Sequence, residues 1–108
     1  MFTAVNVNGL PFDFQRWRSW LNQKSQDLSS EGYKTRFGIS DEFNKPKTHL
    51  AVVSASTGGY FTNWASGETD FEVLDLKSGE RLIERMGLIV ADAAFENVFQ
   101  GFRKHLRL

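Results

Sequence analysis

The stretch HLAVVSASTGGYFTNWASGETDFEVLDL, residues 49–76, decides the fold because it holds three strand-like runs separated by two compact turns. Residues 50–55 are mostly apolar, at both odd and even positions, which suits a central strand covered on both faces or nearly so. Residues 60–66 and 71–76 come closer to the period-two alternation of half-buried strands. We predict a tight hairpin turn at Ser56-Thr57-Gly58-Gly59 and a second turn that begins at Gly67.

An amphipathic helix precedes this stretch. Asp13 is placed to cap its first turn, since a carboxylate there accepts hydrogen bonds from the exposed backbone N–H groups. The helix should end by Ser30, with Gly32 free to adopt a left-handed conformation. The apolar residues that recur at helical spacing are Phe14, Trp17, Trp20, Leu21 and Leu28. Residues 2–7, which alternate, form either a short edge strand or a packed arm.

Two further strands and a second helix complete the chain. Residues 33–39 alternate as a half-buried strand does, and residues 40–47 are polar and rich in turn formers. Residues 81–90 predict a fifth strand, bulged near Gly87. Asp92 is expected to cap the second helix. The apolar stripe of that helix contains Phe95, Val98, Phe99, Phe102 and Leu106.

This order of elements predicts an α+β fold, an antiparallel four- or five-stranded β-meander with an N-terminal and a C-terminal helix packed on one face. Consecutive strands with short links pair antiparallel, and two helices with apolar stripes need a sheet face to cover. Residues 1–108 have the length of a single domain. If the helices cover one face of the sheet, the other face stays open to solvent.

The composition excludes several classes of protein. Thirteen basic and thirteen acidic residues argue against a general polyanion binder. The chain has no cysteine, so it has no disulfide, thiolate nucleophile or cysteine-ligated metal. No run of eighteen apolar residues occurs, and the N-terminal residues lack the basic region of a secretory signal. We therefore expect a cytoplasmic protein that does not bind membranes.

No arrangement of residues predicts catalysis or metal binding. The two histidines, His49 and His105, are isolated, whereas a zinc site needs three or four converging ligands. The carboxylates between residues 68 and 75 lack a partner base or a metal motif. The Ser-Thr-Gly-Gly segment lacks the lysine of a phosphate loop. We predict no enzymatic activity and no cofactor.

A direct interaction with nucleic acid is disfavoured by strand alternation. Lys34 and Arg36 have Tyr33 and Phe37 as sequence neighbours. In a strand the two aromatic side chains lie on the face opposite the two cations, whereas base stacking needs both kinds of residue on one accessible face.

A protein-binding surface is the better candidate. Residues 68–76 contain four acidic residues and no basic ones, and they follow a strand in which two large aromatics, Tyr60 and Trp64, share one face. Aromatic anchors beside an acidic rim suit the docking of a basic protein. The candidate residues are Tyr60, Asn63, Trp64, Glu68, Asp70, Glu72 and Asp75. An alternative stays open, in which Trp64 belongs to the core and the acids only keep the protein soluble.

The chain resembles a known family. The order of helix, meander, the segment FEVLDLKSGERLI (residues 71–83) and final amphipathic helix is similar to small immunity proteins of bacterial contact-dependent inhibition and other polymorphic toxin systems. Residues 49–75, with Trp17 and Trp20 upstream, resemble the TriTu immunity proteins.

The resemblance implies a cytoplasmic protein, monomeric or in a 1:1 heterocomplex, that binds the C-terminal domain of a cognate toxin. Such proteins often cover a nuclease active site, and they use no cofactor, catalytic residue or direct contact with nucleic acid. An acidic face fits this role, because a nuclease is usually basic around its site and opposite charges speed association. The alternative from another class is a small nucleic-acid-binding or regulatory domain.

Overall fold

The computed structural model describes residues 4–41 and 45–108. In chain order, the elements of these residues are α1 (Phe14–Glu31), β1 (Lys34–Ser40), β2 (Lys47–Val53), β3 (Thr57–Trp64), β4 (Glu68–Asp75), β5 (Arg81–Ile89) and α2 (Asp92–Arg103). The five strands pair antiparallel in sequence order within one sheet. The predicted α+β meander is therefore confirmed, with five strands. Part of the predicted arm, residues 2–3, and part of the predicted loop, residues 42–44, lie outside the described residues.

Aromatic side chains join both helices to the same face of the sheet. Phe61 on the central strand β3 lies 5.9 Å from Phe95 and 5.3 Å from Phe99 of α2, measured between ring centroids. Trp17 of α1 stacks on Phe95 at 4.4 Å. The strands add fully or almost fully buried residues to this core: Leu50, Val52, Phe71 and Val73. Since the apolar stripes of both helices meet this one surface, neither helix of the described residues covers the opposite face of the sheet.

The N-terminus of α1 forms as the sequence predicts. Asp13 is the N-cap, and its side-chain oxygen accepts a hydrogen bond from the backbone N–H of Arg16 at 3.1 Å. The helix runs one residue beyond the predicted end, and Gly32 closes it with a φ of 112°. That left-handed conformation costs little conformational free energy only for glycine.

The N-terminus of α2 differs from the prediction, because Asp92 is not its cap. The N-cap is Ala91, which makes no side-chain capping hydrogen bond. The carboxylate of Asp92 instead accepts from the indole N–H of Trp17 at 2.7 Å and from the backbone N–H of Asp13 at 2.8 Å. Asp92 therefore ties the first turns of the two helices together and satisfies the buried indole.

We expect Asp92→Ala to lower the free energy of unfolding by about 1–2 kcal/mol, because it leaves the indole N–H of Trp17 without its acceptor. Asp92→Asn retains a side-chain oxygen that can accept from the indole, so its loss should be smaller. Urea unfolding followed by circular dichroism measures both variants. Equal stability of Asp92→Ala and the unchanged chain would show that this hydrogen bond contributes nothing.

The predicted β2–β3 turn at residues 56–59 is wrong. The chain turns at residues 54–56, where the hydroxyl oxygen of Ser54 accepts from the backbone N–H groups of Ser56 and Thr57 at 3.1 and 3.0 Å. Thr57, Gly58 and Gly59 already belong to β3. A Cβ atom at Gly59 would lie 2.8 Å from Phe102 Cε1. Gly59 therefore lets α2 pack close to the sheet, and it is not part of the turn.

The prediction that β2 is covered on both faces is also wrong. Leu50 and Val52 are fully buried beneath the helices, whereas Val53 on the opposite face is 40% exposed. Within residues 4–41 and 45–108, the apolar side chains of that second face lie beside those of the neighbouring strands, and neither helix covers them. The predicted bulge in β5 is confirmed, since Gly87 has a φ of 71° and the register shifts opposite Thr69 and Phe71.

The described part of the N-terminal segment is a packed arm. A single bridge joins Val5 to Pro11, and Asn6 between them is almost fully buried. The Asn6 side chain donates to the carbonyl oxygen of Val90 at 3.1 Å, while its own oxygen accepts from two backbone N–H groups of the loop. Gly67, with a φ of 88°, lies against Asn6 and confirms the predicted turn after β3.

Candidate functional site

The face of the sheet opposite the helices, called the open face below, carries most of the candidate residues. In an antiparallel pair, residues directly opposite each other point to the same side of the sheet. The pairing registers therefore assign these side chains to the open face: Lys34, Arg36, Ser40, Lys47, His49, Ala51, Val53, Tyr60, Thr62, Trp64, Glu68, Asp70, Glu72, Leu74, Arg81, Glu84 and Ile89.

Tyr60 lies at the middle of the open face. It belongs to the central strand, opposite Ala51 on one side and Glu72 on the other, and it is 59% exposed. Trp64 shares this face and is half-buried, with the Nζ atom of Lys47 at 5.9 Å from its ring centroid. Trp64 is thus not a residue of the core beneath the helices. Tyr60 is the aromatic side chain most available to a partner on this face.

Three of the four predicted acids lie in a row on the open face of β4, from Glu72 opposite Tyr60 to Glu68 near Trp64. Glu68 is exposed. Asp70 accepts a hydrogen bond from the backbone N–H of Gly87 in the β5 bulge at 2.7 Å. Glu72 lies 3.4 Å from the guanidinium of Arg81, which also contacts a carboxylate of β5. The charge of Glu72 is therefore partly offset, whereas Glu68 and Asp70 make no salt bridge within residues 4–41 and 45–108.

The prediction that Asn63 lies on the binding surface is wrong. Its side chain points toward the helices and is fully buried, and its amide donates to the hydroxyl of Thr69 at 2.9 Å. The reason is alternation, since residue 63 has the opposite parity to Tyr60 and Trp64 along the same strand.

Asp75 lies apart from the other acids. It shares the parity of Phe71 and Val73, and its carboxylate caps the β4–β5 turn. The backbone N–H groups of Ser78 and Lys77 donate to it and lower its pKa below the ordinary value. A pKa lowered by folding adds stability that is present above the unfolded pKa and is lost as the pH falls through the folded value. The structure gives Asp75 a role in the turn.

The open face also has a basic side that the sequence did not reveal. The predicted separation of Lys34 and Arg36 from Phe37 is confirmed, since Phe37 faces the core opposite Leu50. The two cations nevertheless share a shallow hollow of about 540 Å³ with Tyr60, two strands away. Sequence alternation predicts that the two cations share one face of β1. That Tyr60 lies beside them follows only from the register in which β1, β2 and β3 pair.

His49 lies on the open face near Arg36. Its imidazole lies across the edge strand at Gly38, where a Cβ atom would clash with the ring.

His105, at the end of α2, donates from Nδ1 to the carbonyl oxygen of Gly101 at 2.9 Å. In the part of the chain that the structure describes, no three His, Asp or Glu side chains converge as metal ligands would. Within the same residues, neither helix is long and apolar enough to span a bilayer.

A second exposed apolar feature lies at the described N-terminal arm. Val5, Val7 and Leu10 are 48%, 67% and 53% exposed. These side chains project from the loop that Asn6 holds, and no charged residue belongs to the segment between Ala4 and Phe12. The arm is thus a surface distinct in chemistry from the open face.

The fold and this surface define a small α+β domain with a broad open sheet face, in which an aromatic centre is flanked by charged strands. The family model described as Immunity protein TriTu matches residues 15–105, which include the whole sheet and almost all of both helices. The chain belongs to the TriTu immunity protein family, as the resemblance predicted. Comparisons with curated proteins and with solved structures find no match. Family membership indicates an immunity function with a toxin protein as partner.

Proposed function

We propose that this protein binds the C-terminal domain of a cognate bacterial toxin in the cytoplasm and neutralises it by covering the toxin's active site. The observation that carries the proposal is the uncovered sheet face, centred on the exposed Tyr60, in a member of an immunity protein family. Interfaces bury aromatic residues at their centre and keep charged residues at their rim, which is the arrangement on this face. Occlusion is stoichiometric and requires no reaction by this chain.

The acidic side of the open face supports a nuclease as the target. A nuclease attracts a polyanionic substrate and therefore carries a positive surface around its active site. Glu68 and Asp70 make no salt bridge within the described residues, so their charge is available to attract such a surface. Complementary charge raises the association rate, which matters for a protein that must reach the toxin before it acts.

The open face is a better candidate than the exposed N-terminal arm. The five strands lie entirely within the residues that match the family, whereas residues 4–11 lie outside them. A function common to the family is therefore expected on the sheet or the helices. The arm remains useful as a control surface, because its apolar side chains are as exposed as Tyr60 but carry no charged neighbours in the segment.

The test is co-expression with the C-terminal domain of the toxin encoded beside this gene. Expression of that domain alone should stop bacterial growth, and co-expression of this protein should restore it. The purified protein should bind the domain, and inhibition of its cleavage of DNA or RNA should reach an end point at one equivalent. An unrelated immunity protein at the same expression level serves as the control. Failure to bind the domain would refute the proposal, and binding without inhibition would refute occlusion of the active site.

One observation favours the alternative of a nucleic-acid-binding domain. Tyr60 shares its face with Lys34 and Arg36, and an aromatic platform beside cations is how single-stranded nucleic acids are held. The carboxylates of β4 lie on the other side of the same tyrosine, which opposes this function. Titration with a labelled single-stranded oligonucleotide distinguishes the two. We expect no binding at physiological salt.

A further inference from the structure

Opposite charges are segregated on the two sides of the open face. The first side, called the basic strip, consists of Lys34 and Arg36 on β1 with Lys47 on β2. The second side, called the acidic strip, consists of Glu68, Asp70 and Glu72 on β4 with Glu84 on β5. The central strand between them carries Tyr60, Thr62 and Trp64. The neutral net charge of the chain therefore conceals a strongly polar surface.

Within the described residues, the cations of the basic strip have no carboxylate partner on their own face, and Lys47 contacts only the ring of Trp64 there. Lys34 lies opposite Val53 and Arg36 lies opposite Ala51, so their nearest cross-strand neighbours are apolar. Within residues 4–41 and 45–108, none of the three cations takes part in a salt bridge. Their charge is accordingly free to act on a molecule that approaches this side of the sheet.

The acidic strip is compensated only in part. Arg81 lies 3.4 Å from Glu72 and 2.8 Å from Glu84, and its single positive charge is shared between them. Arg85 lies opposite Phe71 and so belongs to the helix-covered side. The strip therefore retains net negative charge, concentrated toward Glu68 and Asp70.

The two strips are close enough to act on one ligand together. Lys47 on β2 lies two strand spacings from β4, about 10 Å, and Lys34 and Arg36 on β1 lie three spacings from it, about 14 Å. Both distances lie well within the Debye length of about 30 Å at 0.01 M salt, so at low salt a molecule on one strip still senses the charge of the other. A polyanion laid on the basic strip would be repelled by the carboxylates beside it. A protein surface can present both signs of charge at this spacing, so a protein is the occupant that the face favours.

We infer that the toxin domain meets the open face in one fixed orientation, with acidic residues of the toxin against the basic strip and basic residues against the acidic strip. This inference rests on the proposed function and specifies the charge pattern of the partner. Tyr60 then contacts the toxin between the two charged zones. A rotation of the partner by half a turn would place like charges together, which is how interfaces reject a wrong register.

The double substitution Lys34→Glu/Arg36→Glu separates this inference from simple attraction between an acidic inhibitor and a basic toxin. If only the acidic strip acted, this replacement of two positive charges by two negative ones would leave association unchanged or make it faster. If the basic strip faces toxin carboxylates, the same change makes association slower. We expect association with the catalytically inactive toxin domain to slow about ten-fold at low salt. The effect should shrink as salt is added.

Stopped-flow measurement at low and high salt gives these rates, and three further variants complete the design. Arg16→Glu/Lys104→Glu changes the net charge equally on the helix-covered side, where both residues are exposed, and should leave the rate near that of the unchanged chain. Glu68→Lys/Glu72→Lys should slow association and leaves the bond from Asp70 to Gly87 intact. The combination of both strip reversals restores a net charge of zero and should associate slowest. Circular dichroism verifies the fold of each variant.

The outcomes distinguish the inference from the function on which it rests. If the unchanged protein binds the toxin domain and Lys34→Glu/Arg36→Glu binds as fast or faster, the inference is overturned and the proposed function stands. Equal slowing by Arg16→Glu/Lys104→Glu would also overturn it, because net charge alone would then set the rate. Binding of a single-stranded oligonucleotide that Lys34→Glu/Arg36→Glu abolishes would assign the strip to nucleic acid. If the unchanged protein does not bind the toxin domain, both the inference and the proposed function are refuted.

Discussion

Replacement of Phe99 with alanine is expected to lower the free energy of unfolding by about 3–5 kcal/mol, the usual cost of deleting a buried aromatic ring. Phe99 is fully buried between the helices and the sheet. Its ring centroid lies 5.0 Å from that of Trp20 on α1 and 5.3 Å from that of Phe61 on β3. Its loss therefore opens a cavity at the point where both helices and the central strand meet.

Urea unfolding followed by tryptophan fluorescence and circular dichroism measures this change. Gln100→Ala is the matched control, because Gln100 is the next residue on α2 and is exposed, so its change should stay within about 0.5 kcal/mol. A loss of several kcal/mol is a large part of the stability of a small domain, so Phe99→Ala can unfold the chain outright. Phe99→Leu keeps most of the volume and gives a measurable, smaller loss. A change below about 1 kcal/mol for Phe99→Ala would contradict the packing.

The packing of the two helices could be predicted from sequence because it depends on local periodicity. Apolar spacing identifies the buried side of a helix without knowledge of its neighbours. Trp17, Phe95 and Phe99 lie in the core as their spacing indicates. What spacing did not reveal is the hydrogen bond from Trp17 to Asp92, which joins residues 75 positions apart.

The glycines explain the error at the β2–β3 turn. Consecutive glycines after a small-residue run are typical of hairpin turns, so the predicted turn began two residues too late, at Ser56 and not at Ser54. Here Gly59 leaves room for Phe102, and Gly58 leaves room for Leu76 on the other face. In the sequence, a glycine required by close packing cannot be told from a glycine required by a turn. Only the position of the covering side chain distinguishes them.

The candidate site could be predicted in part. Alternation alone separates Tyr60 from Asn63 and Glu72 from Asp75. The sequence was therefore sufficient to exclude Asn63 and Asp75 from the candidate site. The basic strip, in contrast, could not be predicted from alternation within one strand. That Arg36 lies two strands from Tyr60 follows from the pairing of β1 with β2 and of β2 with β3, which no single segment encodes. The charge pattern of the face is therefore a property of the register.

Truncation of Tyr60 to alanine is expected to weaken toxin binding by about 2 kcal/mol or more, equivalent to a rise in Kd of about 30-fold. The expectation follows from the position of Tyr60 at the centre of the open face, 59% exposed and between the basic and acidic strips. An aromatic anchor at the centre of an interface is desolvated on binding, so its loss acts mainly on the dissociation rate. Charge reversals in the strips act mainly on association.

Surface plasmon resonance with the catalytically inactive toxin domain separates the two rates. Tyr60→Phe retains the ring and should keep most of the affinity if packing of the ring carries the effect. Val7→Ala is the matched control, an exposed apolar truncation on the N-terminal arm, 67% exposed and outside the residues that match the family. Tyr60→Ala should leave the unfolding transition nearly unchanged, since the side chain lies largely in solvent. If Val7→Ala weakens binding and Tyr60→Ala does not, the toxin contacts the arm, and the open face is not the neutralising surface.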